Sequence, residues 1–536
     1  MKIIIFLKIL ILANFIFAQS SFKTGINFPL YIPNHRSIDQ YLKFVNDCGG
    51  KAIRQMTWAD VHWRHIESSD NNWDFTRSDS SFFNPFNLTP IGTLYSMMGN
   101  DSVGLQTPWL ACNNPFNCYW DPAGDSIYSK DYIFHTINRY KNKTKYWEIA
   151  NEIESVLPPA GLPNIYTKKE FLRYNYTWIK QTDPDAKILL PGLVGTCCNY
   201  PITNSFNWLR RMLEIGAGDY FDIMNYHDYN AWWTLPAHFD SVKNILKQFK
   251  LNKPIWITET SISSFNVSPI TPSYSSEDEQ AADVWRRICL LWAKGAEVVL
   301  WHSNWSSGDL KGWGEFGLVN NMGIKKKSFH SFKLLNNKVT NFTNIDIISL
   351  GDVSISNKSG GNGVWVIHFK VNESNKWVLW SPDNKPYTLE NISSNLIEIT
   401  EVVPNQLFQN GDSAFFVNKT FSVTNNKYSF LSLPNLPILI EEMIETSIKE
   451  KEIFFSPNPA SDYIEINTSM SLLNTLSFPS NRETNIKIYN TFGECLIDLT
   501  PTPLLTGEGL RIDVSHLPAG VYLLQIREQT AMFIKM

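Results

Sequence analysis

Beyond its N-terminus the sequence lacks any long apolar run. After the stretch from Ile3 to Phe17, itself broken by Lys8, no segment reaches the ~18 unbroken apolar residues that a membrane helix needs, so no spanning helix is predicted. A basic stripe is also missing. With 47 Lys and Arg against 51 Asp and Glu, the net charge is −4, which excludes a surface built to track a phosphate backbone and removes nucleic acid as a partner. Cysteines are few and odd in number: seven in 536 residues cannot form a dense disulfide framework. Cys112 and Cys118 flank a short polar loop and are the best candidate bridge. Cys197 and Cys198 are adjacent, so a bond between them would be strained, and no nearby His supports a metal site; the remaining thiols are read as structural or free.

What is abundant is rings. Nineteen Trp and 21 Tyr in a chain that is 43% hydrophobic exclude disorder throughout. At this length two or three domains are expected, one of them large enough for a barrel of ~250 residues or more. The chain opens on Met1-Lys2, an apolar segment too short to span a bilayer and Ala18-Gln19-Ser20, so residues 1–18 are predicted to be a signal peptide cut after Ala18 and the mature protein to be exported.

Residues 22–342 alternate short β-branched runs with helical patterns, the sign of repeated βα units and an α/β TIM barrel, (β/α)8. Eight strands are predicted, at 24–28, 52–58, 89–95, 146–151, 187–193, 221–229, 254–259 and 297–302. Apolar spacing of three and four marks helices: Ile38, Leu42 and Val45 in the first, Val284, Ile288 and Leu291 in the seventh. Ser276 with Glu279 forms a capping-box pattern before the seventh. Long inserts at 97–124 and 261–276 fall after strands three and seven, on the face where barrel enzymes work.

From 343 to 440 the texture becomes alternating apolar residues between Asn, Ser and Gly turns, as in Val364-Trp365-Val366-Ile367-His368-Phe369, which predicts an accessory β-sandwich packed on the barrel. A charged stretch, 441–452, is predicted to be a linker, and residues 453–536 a small all-β unit. Its Phe455-Ser456-Pro457-Asn458-Pro459 opening, central Ile486-Lys487-Ile488-Tyr489-Asn490, Leu517-Pro518-Ala519-Gly520-Val521-Tyr522 and basic end resemble the C-terminal sorting domain of type IX secretion substrates. The resemblance implies the outer-membrane secretion machinery as a partner and a place outside the cell or at its outer surface.

Two acids end predicted strands. In Tyr146-Trp147-Glu148-Ile149-Ala150-Asn151-Glu152, a side-chain period of two puts Glu148, Ala150 and Glu152 on one face, with Glu152 at the carboxyl end. In Ile255-Trp256-Ile257-Thr258-Glu259, Glu259 ends an otherwise apolar strand. Strands four and seven are three steps apart in an eight-stranded ring, so these ends can face each other across the mouth. A glycosidic bond needs one carboxylic acid to protonate the leaving oxygen and one carboxylate to attack or guide water.

The two strings resemble the strand-four and strand-seven signatures of clan A glycoside hydrolases, retaining (β/α)8 enzymes. That resemblance implies Glu152 as acid/base and Glu259 as nucleophile. It further implies Arg54 as the active-site arginine, Asn151 on the sugar 2-hydroxyl, His227 and Tyr229 as the His-x-Tyr supporting the nucleophile, and Trp301 as the platform under the sugar. No cofactor and no metal are implied. Many clan members have Pro after the acid/base residue, where this chain has Ile153-Glu154, which leaves the exact family open and makes Glu154 the runner-up acid.

The function expected is a secreted hydrolase of β-linked glycans. Trp109, Tyr119, Trp120, Trp232, Trp233, Trp305 and Trp313, on loops after strands three, six and eight, are expected to line a cleft against the apolar faces of sugar rings. The competing expectation is a catalytically inactive glycan-binding surface protein on the same barrel.

Overall fold

The computed structural model describes residues 22–27, 37–54, 61–94, 126–154, 165–194, 202–265, 275–306, 315–354, 360–443, 455–456, 459–466, 486–491, 493–499, 510–526 and 529–536. The expected signal peptide, Cys112, Cys118, Cys197, Cys198, Trp109, Tyr119, Trp120, Trp313 and the whole of the 97–124 insert lie outside these residues. Among the described residues no helix is long and apolar enough to cross a membrane.

The eight predicted strands are present as β1 (Thr24–Asn27), β2 (Ala52–Arg54), β3 (Thr89–Leu94), β4 (Tyr146–Ile149), β5, β6 (Met224–His227), β7 (Ile255–Thr260) and β8 (Val298–His302). β5 is split into Lys187–Leu189 and Leu193–Val194. Pro191, between the pieces, has no N–H to give to a ladder. The first piece pairs with β4 and the second with β6, both parallel, so the broken strand closes the sheet into a ring. The (β/α)8 barrel read from the sequence is therefore the observed fold.

Each strand is followed by a helix: α1 (Ile38–Asp47), α2 (Thr76–Phe82), α3 (Ser126–Tyr140), α4 (Ile165–Thr182), α5 (Ile202–Glu214), α6 (Leu235–Gln248), α7 (Glu277–Lys294) and α8 (Lys327–Lys338). α1 starts where the Ser37 side chain accepts from the Gln40 N–H and buries Tyr41, Leu42 and Val45. At α7, Ser276 accepts from the Glu279 N–H at 3.1 Å, which is half of the expected capping box. The Glu279 carboxylate turns instead to Arg286, at 2.5 Å.

Strand alternation sorts the barrel side chains. Ala52, Ile91, Leu189, Ile223, Trp256, Val298 and Leu300 point inward and, with Phe22, fill the floor. Ile53, Trp147, Ile149, Ile257 and Val299 point outward into the layer shared with the helices. The floor is packed, so the carboxyl ends of the strands are the face left for a site.

The sandwich is a six-stranded antiparallel sheet in the order Phe342–Ser349, Trp365–Val371, Ser374–Trp380, Ile438–Glu442, Leu396–Glu401, Asn418–Ser422. Both its faces are apolar because both are covered. Val366, Trp377, Leu379 and Ile440 face the sandwich's own core, while Trp365, Ile367, Phe369, Val378 and Trp380 face the barrel and join its outer layer. Glu441 and Glu442, expected in a linker, complete the last strand, and Glu441 bridges Lys338 at 2.6 Å and Lys376 at 2.7 Å. The chain divides into two compact units, Met1–Ile444 and Glu445–Met536. The second has a three-stranded and a four-stranded antiparallel sheet around a small core that includes Ile464, Ile488, Leu524 and Phe533.

The seam between barrel and sandwich is a tryptophan cluster. Trp365 and Trp380 stack with centroids 5.7 Å apart, and Trp232 meets them edge-on at 5.0 and 5.7 Å, under the Arg286 guanidinium. Trp232 is thus a joint and not a cleft residue, which corrects the sequence expectation. Replacing it with Ala is expected to destabilise the protein by ~3–5 kcal/mol, the range for deleting a buried large aromatic. The midpoint of chemical unfolding checks this, and a loss below ~1 kcal/mol would show that the seam is slack.

Candidate active site

The site forms where β2, β4, β6, β7 and β8 end. Arg54, fully buried at the tip of β2, is its hub. Its Nε and Nη2 donate to the two oxygens of Glu148, Nη2 also to Asn151 Oδ1 at 2.6 Å, and Nη1 to Glu259 Oε1 at 2.5 Å and Asn27 Oδ1 at 3.1 Å. A planar fork with fixed donors holds several acceptors in one arrangement.

Glu259 arrives through an irregularity: the register of β7 against β6 shifts between Ile257 and Glu259, so Thr258 and Glu259 both reach the interior network. One Glu259 oxygen takes Arg54, and the other accepts from the Tyr229 hydroxyl. His227 Nδ1 stands 3.6 Å and His302 Nδ1 3.8 Å from that second oxygen. Burial alone would raise its pKa, but the nearby His227, Arg54, His302 and Tyr229 together hold it below the usual carboxylate range. Burial and the neighbouring Glu259 push the Tyr229 phenol well up, which keeps it a donor.

Glu152 reaches the site differently from the sequence expectation. β4 ends at Ile149, and Ala150 (φ 61°) and Glu152 (φ 50°) are left-handed, so a tight turn, not strand alternation, brings the carboxyl inward. Ala150 faces the outer layer. The Glu152 Oε1 lies 2.7 Å from His227 Nδ1, and the Glu152 side chain remains 25% exposed, which leaves it accessible to a ligand. Burial first, then the charge of Glu259, raises its pKa well above an ordinary glutamate. His227, expected beside the nucleophile, is therefore closer to Glu152 than to Glu259.

Oxygens of Glu152 and Glu259 and a nitrogen of His227 all lie within 4.8 Å of one another. Two donors on a tetrahedral ion at ~2.0–2.1 Å stand ~3.3 Å apart. The 2.7 Å between Glu152 and His227 is a hydrogen-bond distance, and the trio is read as a proton network.

Trp301, the expected sugar platform, is fully buried, with its indole N–H donating to Phe316 O at 3.1 Å. On β8 the inward side chains are Val298, Leu300 and His302, so alternation turns Trp301 to the outer layer and puts His302 at the strand end facing the site. Asn27 Oδ1 is taken by Arg54, so its amide donates to His302 Nδ1 at 2.7 Å.

Glu154, the runner-up acid, points away. It caps the end of β5 by accepting from Val194 N–H and from Ser205 Oγ at 3.1 Å, and burial pushes its pKa up to about 8. Trp305 packs on Tyr41 and Phe44, at 5.2 and 5.1 Å, and is not a cleft ring.

Several site residues escaped the sequence reading: Asn27, Gly192, Asn225, Thr258 and His302. Gly192 closes on the network most tightly. Its N–H donates to Glu148 Oε1 at 2.7 Å, its carbonyl accepts from Glu152 N–H at 3.2 Å, and a Cβ there would lie 2.0 Å from His227 Nε2. Strand parity with His227 is the available signal for Asn225, and parity with Val298 that for His302.

Residues 454–536 match the family described as the secretion system C-terminal sorting domain. The protein thus carries a sorting module that directs it to secretion or to the outer surface. None of the curated proteins matches the chain. Among solved structures, a family 39 glycoside hydrolase from Bacteroides cellulosilyticus WH2 is similar at TM-score 0.56, 15% identical, over 78% of this chain and 81% of its own. An alpha-L-arabinofuranosidase from Thermotoga maritima has a TM-score of 0.53 at 12% identity, over 79% and 96%. A monomeric beta-xylosidase from Caulobacter crescentus CB15 has 0.51 at 14%, over 79% and 97%. At these identities the likeness is one of fold alone.

Proposed function

We propose that the protein is a secreted retaining glycoside hydrolase that cleaves β-linked glycans, with Glu259 as nucleophile and Glu152 as general acid/base. The observation that carries this reading is a pair of carboxyl groups with oxygens within 4.8 Å, whose surroundings push the Glu152 pKa up and the Glu259 pKa down. A retaining pair stands ~5–5.5 Å apart, whereas an inverting pair leaves ~6.5–9.5 Å for water.

In the first step Glu259 attacks the anomeric carbon as the C–O bond to the leaving group breaks, and the Glu152 proton passes to the departing oxygen. The ester at Glu259 removes the negative charge that raises the Glu152 pKa, so Glu152 becomes a base. It then takes a proton from water, whose oxygen displaces Glu259 from carbon. Arg54 and Tyr229 hold the Glu259 carboxylate for the attack, and the Arg54-bound Asn151 lies beside it, suited to a sugar hydroxyl. His302 takes the inward place at the end of β8 that was expected for Trp301.

The pH dependence follows from the two shifts. Activity requires ionised Glu259 and protonated Glu152, so it falls as pH drops through the lowered Glu259 pKa and as pH rises through the raised Glu152 pKa. Glu152→Gln is expected to abolish the alkaline limb with aryl glycosides whose leaving groups need no proton, and to lower turnover of unactivated glycans by ~10²–10⁴-fold. Steady-state rates across pH on aryl glycosides and polysaccharides test this. An unchanged profile in Glu152→Gln would remove it as acid/base, and glycan binding with no product across a broad panel would favour the inactive binding protein.

A further inference from the structure

Behind Glu152, a chain of hydrogen bonds has every donor and acceptor assigned by its far end. Glu148 Oε1 receives Arg54 Nη2 at 2.9 Å and the Gly192 N–H at 2.7 Å, groups that can only donate. The Asn225 side-chain atom 2.9 Å from that same oxygen must therefore be the amide nitrogen, which fixes the rotamer of Asn225. Asn225 Oδ1 then faces Thr258 and accepts twice, from its N–H at 3.3 Å and its hydroxyl at 2.9 Å. With its proton spent on Asn225, Thr258 Oγ1 has only lone pairs to offer His227 Nε2, 3.1 Å away. The His227 proton thus sits on Nε2, and Nδ1 is left as an acceptor.

We infer that this chain, Glu148–Asn225–Thr258–His227, fixes His227 as its Nε2–H tautomer so that Nδ1 accepts from Glu152, making His227 a positioning residue that stores the proton of the acid. The inference rests on the acid/base reading of Glu152. It goes beyond that reading by naming what keeps the proton there and by assigning Thr258 and Asn225, which touch neither carboxyl of the pair, a part in it.

The surroundings agree. Burial drives the His227 pKa down to about 4, so the ring is neutral near pH 7 and cannot donate from both nitrogens. Groups facing the Glu152–His227 contact are Arg54 from β2, Glu148 from β4, Tyr229 from the end of β6, Glu259 from β7 and His302 from β8, with Glu154 two residues along the turn. A cationic His227 would be favoured by Glu259 and Glu148, but burial and Arg54 outweigh them. The ring cannot swing toward β5, because His227 Nε2 is pressed against Gly192.

In use, an arriving glycosidic oxygen competes with Nδ1 for the proton. The terminal carboxyl torsion is soft, so the O–H can turn from one acceptor to the other. Once the proton has left, the Glu152 carboxylate confronts the Nδ1 lone pair. That repulsion raises its proton affinity for the second half of the reaction.

Thr258→Val keeps the shape and deletes the acceptor. The Nε2–H is then unmatched, the tautomer shifts toward Nδ1–H, and Nδ1–H favours ionised Glu152. The alkaline limb of the rate profile is expected to move down by about one pH unit, a tenfold change in the protonated fraction, while the acid limb stays. Thr258→Ser should restore it. Nitrogen NMR of the full-length protein labelled at histidine, with His227→Gln to assign the signal, should show Nε2 protonated and Nδ1 unprotonated in the native protein and the balance shifted in Thr258→Val. A protonated Nδ1 in the native protein, or an alkaline limb unmoved in Thr258→Val, would overturn the inference. If the tautomer is as assigned and no glycoside is turned over, the hydrolase reading fails and the network stands.

Discussion

Glu259→Gln is expected to lower turnover by at least about 10⁴-fold, or ~5.5 kcal/mol of transition-state stabilisation, with the fold intact. The amide is the same size and its oxygen can still accept from Arg54, so the barrel mouth keeps its shape. What the proposed mechanism loses is its covalent route, because a neutral amide does not attack an anomeric carbon. A second effect accompanies it: the negative charge that helps raise the Glu152 pKa is gone, so the remaining acid becomes more acidic. Glu259→Ala in the presence of azide separates a nucleophile from a structural acid. The small anion can attack from the vacated side, and a single displacement gives a glycosyl azide of inverted configuration. Turnover of Glu259→Gln within about tenfold of the native rate would exclude it as the nucleophile.

The barrel was legible because its periodicity is local. The strands are short runs set between turns, the first and seventh helices show the three-and-four spacing, and Glu259 and Arg54 lie near strand ends where the pattern stops. The network between them was much less legible, for three physical reasons. Left-handed residues at Ala150 and Glu152 and the register shift before Glu259 break the period of two at the point where it would have been used to aim the acids. The partners of Arg54 come from β1, β4 and β7, far apart in the chain, and Glu148 was visible only as a residue on the same face as its strand's end. Composition does not distinguish a tryptophan that meets sugar from one that welds a seam. Trp232, Trp301 and Trp305 are all buried in packing. On β8 the alternation was present in the sequence, and counting inward from Val298 would have put His302, not Trp301, on the side of the acids.

Arg54→Met should be the most damaging single change to stability within the site. The methionine approximates the volume of the aliphatic part but supplies no donor, so Glu148 keeps only Gly192 and Asn225, and Glu259 keeps Tyr229. Removing one partner of a buried ion pair costs ~3–5 kcal/mol because the other charge is left uncompensated. Two carboxylates share this cation, with side chains 0% and 6% exposed, so a value near the upper end is expected.

The sign of the pH dependence provides the sharper check. In the native protein the lowered Glu259 pKa means that its contribution to stability is present above the unfolded-state pKa and lost as pH falls through the folded one. Without Arg54, burial is expected to outweigh the remaining His227, His302 and Tyr229 and to lift the folded-state pKa of this carboxyl above the unfolded value. The folded variant then binds a proton that the unfolded chain does not, and its stability falls as pH rises. The difference in unfolding free energy between native protein and Arg54→Met should therefore be larger near about pH 7 than near about pH 5, measured by urea titration at both. An equal difference at the two values would mean that Arg54 acts through packing alone, and that something other than this guanidinium keeps Glu259 ionised.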